Sequence, residues 1–212
     1  QIQLFFSDIE PLAASKVLVR LENETLSIGQ RILSQGLQLT IRGQEKIGII
    51  GPNGVGKSTL LAKLHQLLSG KREISLGFMP QDYQETLQLD LSPVEFLSQT
   101  GHKEEIQKIQ SHLASLNFSY PEMHHQIHSL SGGQQGKLLL LNLVLRKPNF
   151  LLLDEPTRNF SPTSQPEIRK LFANYSGGLV TVSHDRRFLK EVCTRIYSLT
   201  EHGLEVVDLQ DL

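Results

Sequence analysis

The stretch Gly51-Pro52-Asn53-Gly54-Val55-Gly56-Lys57-Ser58-Thr59 constrains this chain more than any other, because it fits the pattern G-x-x-x-x-G-K-[ST] in full. It follows the apolar run Ile47-Gly48-Ile49-Ile50 and precedes a helix-forming segment, so strand, loop and helix stand in the order the pattern requires. A chance glycine-rich turn would not carry both flanks. Glycines let such a loop wrap a polyphosphate with successive N–H groups pointing inward, and the helix adds its positive N-terminal end. Lys57 supplies a mobile cation for the terminal phosphates, and the Ser58 hydroxyl is placed to ligate Mg²⁺.

Two further continuous apolar runs, Leu151-Leu152-Leu153 and Leu179-Val180-Thr181-Val182, read as strands covered on both faces. Three such runs separated by helical segments predict an α/β fold, a parallel sheet with helices on its faces. The first 43 residues read differently, as short antiparallel strands. Val17, Val19 and Leu21 alternate with polar partners, and Leu37, Leu39 and Ile41 do the same.

Between Gln81 and Ser131 the buried-strand pattern disappears. Ser92-Pro93-Val94-Glu95 is a capping box with Pro at the first helical position, and Ile106, Ile109, Leu113 and Leu116 recur at helical spacing. The expected division is an antiparallel β-subdomain over 1–43, a P-loop α/β core over 44–81 and 131–212, and a small inserted helical subdomain over 82–130. Gly133–Arg146 forms another helix, ended by Pro148, and Ser164-Gln165-Pro166-Glu167 is expected to cap one more.

Composition removes several classes. The net charge is −1, which argues against a broad basic face for nucleic acid. Cys193 is the single cysteine, so an internal disulfide is excluded and a reducing compartment such as the cytoplasm is expected. The longest apolar block, Leu138–Leu145, is interrupted by Asn142 and stopped by Arg146-Lys147-Pro148, well short of the ~20 residues a bilayer requires. Starting at Gln1, the chain reads as a domain taken from a longer protein.

Phe150-Leu151-Leu152-Leu153-Asp154-Glu155 reads as a buried strand delivering two carboxylates at its C-terminal end, where ligands of open parallel sheets bind. Asp154 is expected to orient Mg²⁺ through water and Glu155 to polarise an attacking water. A pair of solvated strand-end acids is the plainer reading of these two alone. Met123-His124-His125-Gln126-Ile127-His128 invites a metal reading, since His124 and His128 stand four apart. With no Cys or acid placed nearby to complete the coordination, it reads better as a solvated approach to the loop that follows.

Leu130-Ser131-Gly132-Gly133-Gln134, with the two motifs above, gives the chain its resemblance to the nucleotide-binding domains of ABC ATPases, over nearly its whole length. The resemblance implies ATP as the nucleotide and Mg²⁺ as its metal. It implies that Ser131, Gly132, Gly133 and Gln134 act as the signature that contacts the γ-phosphate on a second such domain. Gln81, after Phe78-Met79-Pro80, matches the glutamine that contacts Mg²⁺ and the water, and His184 matches the switch histidine at the γ-phosphate. Val182-Ser183-His184-Asp185-Arg186-Arg187-Phe188-Leu189 and Gly132-Gly133-Gln134-Gln135-Gly136-Lys137 resemble the corresponding runs of ABC-F proteins. That branch carries two such domains per chain and acts on the ribosome. The segment 82–130 is too short for the long arm that often decorates the first domain, so this chain looks like a second domain.

Three departures stand out. Arg158-Asn159-Phe160-Ser161 follows Thr157 where the family usually has Asn-His-Leu-Asp, which puts coupling between the two sites in question. The family's base-stacking aromatic has Ile28 at its expected position, so the base is expected to be held by apolar contact and selected weakly. Gln134 stands where many ABC-F members have Glu. Two other readings stay open: the energising subunit of a membrane transporter, and a nucleotide-dependent clamp with little turnover.

Overall fold

The computed structural model describes residues 4–212. After an irregular stretch, β1 (Val17–Ile28) and β2 (Arg31–Arg42) pair antiparallel as a hairpin. Residues 4–43 thus hold two strands of twelve residues rather than several short ones. Inward alternation starting at Val17 is also corrected: Leu18 and Val19 are both buried and Val17 is exposed. A register shift between Val17 and Val19 is the reason, since a bulge turns consecutive side chains to one face.

The chain then alternates between sheet and helix through β3 (Lys46–Ile50), α1 (Lys57–Ser69) and β4 (Leu76–Met79). The helical segment follows, with α2 (Pro93–Leu97), α3 (Lys103–Ser115) and α4 (Tyr120–His124). The remainder is α5 (Gly132–Arg146), β5 (Phe150–Asp154), α6 (Gln165–Ala173), β6 (Gly178–Val182), α7 (Arg186–Val192), β7 (Arg195–Thr200) and β8 (Gly203–Val207).

Six strands form one sheet in the order β4-β5-β6-β3-β7-β8. The first five run parallel, and β8 returns antiparallel against β7. Every residue of β5 and β6 is buried, which explains their unbroken apolar sequences. Period two then divides the side chains between two cores. Phe150, Leu152, Val180 and Val182 meet α1 and the hairpin on one face. Leu151, Leu153 and Leu179 meet α5, α6 and α7 on the other, in an apolar cluster that also takes in Val94, Ile109, Leu113 and Met123 from the helical segment. The result is an α/β fold with a mainly parallel sheet and an antiparallel β-hairpin packed over α1.

The capping boxes at α2 and α5 form, with Ser92 and Ser131 each accepting from the backbone three residues on. At α6 the cap is not made as the sequence suggests. Ser164 adopts right-handed helical angles and makes no side-chain cap, because its hydroxyl accepts instead from the Ser161 hydroxyl at 3.1 Å. His124 and His128 do not share a helix either: α4 ends at His124, whose ring meets the Gln110 amide, while His128 pairs with Gln126.

Phe150 is fully buried between β5 and α1, whereas Val206 on β8 is 74% exposed. Phe150→Ala is expected to destabilise the protein by about 3–5 kcal/mol, and Val206→Ala by under about 0.5 kcal/mol. Urea denaturation checks this; comparable small losses at both sites would contradict the layer assignment.

Candidate nucleotide site

The C-terminal edge of the parallel sheet opens onto a cleft of about 670 Å³. Asn53, Gly54, Gly56, Lys57, Ser58 and Thr59 form one wall, Asp154, Glu155 and His184 the floor, and Gln81 one side. Ile28 and Leu33, from the two strands of the hairpin, provide the apolar end. Ile28 is 60% exposed and carries no polar group for the edge of a base. Gly51 lies at the root of the loop. Pro52 and Val55 face an adjoining hollow with Arg31, Gln35 and His202.

Backbone geometry explains the glycines at two of these positions. Gly51 has φ +152°, and a Cβ there would stand 2.9 Å from the Leu199 carbonyl oxygen. Gly56 has φ +109°, and a Cβ there would press on Leu26 and Leu33 of the hairpin. Only at these dihedrals does the chain turn into α1 with no side chain capping it. The N–H groups of the first turn and the positive end of the helix are thereby directed at the cleft. Lys57 folds back over the loop and donates to the carbonyl oxygens of Gly51 and Pro52, the latter at 3.0 Å. Burial lowers its pKa, opposed by the charges of Glu155 and Asp154.

Ser58 Oγ donates to Asp154 Oδ2 at 2.9 Å, while the buried Asp154 Oδ1 has no hydrogen-bond partner among the described residues. Burial raises the Asp154 pKa, opposed by the Ser58 hydrogen bond and by the charges of Lys57 and Arg158. A hydroxyl beside a carboxylate with one oxygen still to be satisfied is a donor set that suits Mg²⁺ and its water. Next to it, Glu155 takes the left-handed conformation, φ +51°, with its N–H donating to Val182 O at 2.8 Å. Such a conformation at a non-glycine residue costs of order 1–2 kcal/mol and is held by its surroundings. Here the Glu155 carboxylate accepts from the His184 backbone N–H at 3.3 Å and lies 3.4 Å from His184 Nε2.

The signature stretch lies elsewhere. None of Ser131, Gly132, Gly133 or Gln134 lines the cleft. Ser131 and Gln134 satisfy each other's backbone through the capping box, and the Gln134 amide also donates to the Glu122 carboxylate. Gly132 and Gly133 face open space. The side chain of Gln134 is therefore committed within its own domain, and the first-turn N–H groups are what this helix end presents outward.

Several cleft residues were not read from the sequence as ligands: Thr157, Arg158, Gln165 and Asp185. They belong to the loop after β5 and its supports. Thr157 Oγ1 donates to Asp185 Oδ2 at 2.9 Å, and Gln165 Nε2 donates to the carbonyl oxygens of Thr157 and Phe160. Phe160 is buried against Gly136 of α5, where a Cβ would come within 2.8 Å of its ring. Hydrogen bonding across a folded loop leaves no periodic trace, although Arg158 was marked as a departure from pattern.

Residues 34–158, more than half of the chain, match the family model described as ABC transporter. The chain belongs to that family. It is an ABC-type ATPase domain, and its similarity to other members runs across most of its length. It is 31% identical over 210 residues to the "Probable ATP-binding protein YheS" of Escherichia coli K12, covering 96% of this chain and 33% of that protein. It is 28% identical over 199 residues to "ABC transporter F family member 2" of Arabidopsis thaliana, covering 90% of this chain and 29% of that one. The chain thus spans about a third of the length of these curated relatives. Among solved structures, the ATP-binding cassette MJ0796, a dimer in a post-hydrolysis state with ADP and Pi, shares the fold with a TM-score of 0.74 and 21% identity. That match covers 90% of this chain and 98% of the other.

Burial raises the Glu155 pKa, opposed first by the His184 backbone hydrogen bond. A folded-state pKa above the unfolded one means that the ionised carboxylate weighs against the fold at neutral pH, and that the penalty fades as acid protonates it. Glu155→Gln is therefore expected to raise the thermal midpoint of the nucleotide-free domain at pH 7, with the gain vanishing below about pH 4. Scanning calorimetry across that range checks it; a gain that grows toward acid pH would reverse the sign assigned to Glu155.

Proposed function

We propose that this ABC-type domain binds MgATP along Gly51–Thr59, closes on a second such domain, and reopens when the bound ATP is hydrolysed. The observation that carries the reading is the separation of two half-sites. The cleft holds the phosphate loop and both acids, while the N-terminal end of α5, with its open Gly132–Gly133 turn, does not line it. A γ-phosphate held on the loop of one domain is what the open Gly132–Gly133 turn of another can bind.

Within one site the parts divide by charge. Lys57 and the N–H groups of the loop and first turn take the phosphates. Ser58 and Asp154 hold Mg²⁺, with Gln81 beside them, and the metal when bound neutralises part of the phosphate charge. Glu155, fixed by the His184 N–H, orients the attacking water and accepts its proton. The His184 side chain, 55% exposed beside Glu155, is left accessible to a γ-phosphate in the cleft. Ile28 and Leu33 give the base an apolar seat.

The reading extends to the ABC-F branch, a cytoplasmic place and action on the ribosome. What supports it is the run Ser183–Leu189 and the similarity to a protein named as an F family member. The division into a β-subdomain over 1–43, an α/β core over 44–81 and 131–212, and a helical subdomain over 82–130 belongs to the same proposal. Among the described residues no helix is long and apolar enough to cross a membrane. A transporter subunit would show itself by copurifying with a membrane-spanning protein, an ABC-F protein by sedimenting with ribosomes.

Glu155→Gln is expected to keep ATP binding, to slow hydrolysis by about 10²–10⁴ in the paired state, and to trap the pair with MgATP. Sedimentation velocity of the variant in MgATP and in MgADP, with phosphate release measured alongside, checks this. Association that is the same with both nucleotides would remove the closing mechanism, and wild-type turnover in the variant would remove Glu155 from the chemistry.

A further inference from the structure

We propose that Arg158 is a γ-phosphate ligand of its own domain's site, a cation that lets a single domain tell ATP from ADP before any partner arrives. The proposal rests on the nucleotide site set out above and adds to it a residue that the family's usual sequence, with an amide at this position, does not supply.

Arg158 lines the same cleft as Lys57, Ser58, Asp154, Glu155 and His184. The turn that carries it is fixed on both sides. Ahead of it, Thr157 is tied to Asp185 through its hydroxyl and to Gln165 through its carbonyl. Behind it, the Phe160 ring is buried and its carbonyl accepts from Gln165. The Arg158 N–H closes the turn onto Glu155 O at 3.2 Å. Between these anchors the Arg158 side chain is exposed, and among the described residues it forms no salt bridge.

Its charge nevertheless acts on the catalytic carboxylates, favouring the ionised forms of both Asp154 and Glu155. The same acid end of the cleft follows from the backbone, since the turn bonds the Arg158 N–H directly to Glu155 O. Two carboxylates there face two cationic side chains, Lys57 and Arg158. Lys57 donates to the carbonyls of Gly51 and Pro52, so it meets the phosphates from the loop side. The group that reaches the acid end is the terminal phosphate, whose negative oxygens repel Asp154 and Glu155. A guanidinium on a fixed turn meets those oxygens with a planar fork that a lysine cannot reproduce. ADP lacks the group and gains nothing from it.

The test is calorimetric titration of the wild-type chain, Arg158→Gln and Arg158→Lys with two magnesium-loaded probes, β,γ-imido-ATP and ADP. Protein concentrations are kept where sedimentation shows monomer. The expected result is a loss of about tenfold or more in affinity for the imido analogue in Arg158→Gln, the scale of one charge-assisted contact. ADP affinity should change by under about threefold, and Arg158→Lys should recover only part of the loss. Unchanged ADP binding also shows that the variants are folded. Equal losses for both nucleotides, no loss, or a loss seen only once the chain pairs would each overturn the proposal, the last by placing Arg158 on a partner's phosphate. In those cases the nucleotide site itself stands. A wild-type chain that binds neither probe would remove that site and this proposal together.

Discussion

Parallel pairing of β6 with β3 on one side and β5 on the other fixes where every group of the cleft can stand. Ile49 and Asp154 both lie opposite Val182, so the three strands end level. The chain leaves β3 into the phosphate loop, β5 into Glu155 and β6 into Ser183–His184, all at one edge. Parallel strands reach this arrangement only with both faces covered, which is why the hairpin and α1 on one side and α5 to α7 on the other are needed for the chemistry as well as for stability. Had any one strand run the other way, its loop would have emerged at the far edge of the sheet.

The cleft is built against its own electrostatic comfort. Asp154 keeps one buried oxygen without a partner among the described residues, Glu155 holds a backbone conformation that side chains disfavour, and burial weakens the charged forms of Asp154, Glu155 and Lys57 alike. Each of these is a debit in the protein alone; a divalent ion would relieve the open Asp154 oxygen and a polyphosphate the desolvated Lys57, while the Glu155 backbone is held by the fold. Apolar packing elsewhere is ample to hold the arrangement, since β5 and β6 are buried from end to end. Binding affinity in such a site is partly the release of what folding had imposed.

Much of this was legible in the sequence where a physical pattern is local. Burial on both faces leaves continuous apolar runs, so β3, β5 and β6 could be read directly; a reciprocal cap announced α2, and a helix-forming run stopped by Pro148 announced α5. The phosphate loop carried its own context, and the family resemblance drew in Gln81 and His184. What was not legible depends on partners distant in the chain. The bulge that buries Leu18 and turns Val17 outward is set by pairing with β2. Ser164 fails as a cap because Ser161 reaches it first. β4 is four residues long with a glycine inside it, too short for a periodicity to show. Thr157, Gln165 and Asp185 join the cleft only through hydrogen bonds across a folded loop.

The contact between Phe160 and Gly136 has a mechanical consequence. The loop from Glu155 to Phe160 borders the cleft, and α5 begins at the open Gly132–Gly133 turn. An aromatic ring seated where only a hydrogen atom fits leaves no slack between the two. A shift of the loop on one side must therefore be transmitted as a shift of the helix on the other, as a cog passes motion through a single engaged tooth. A larger residue at Gly136 would press on that ring and, through it, on the turn that carries Arg158.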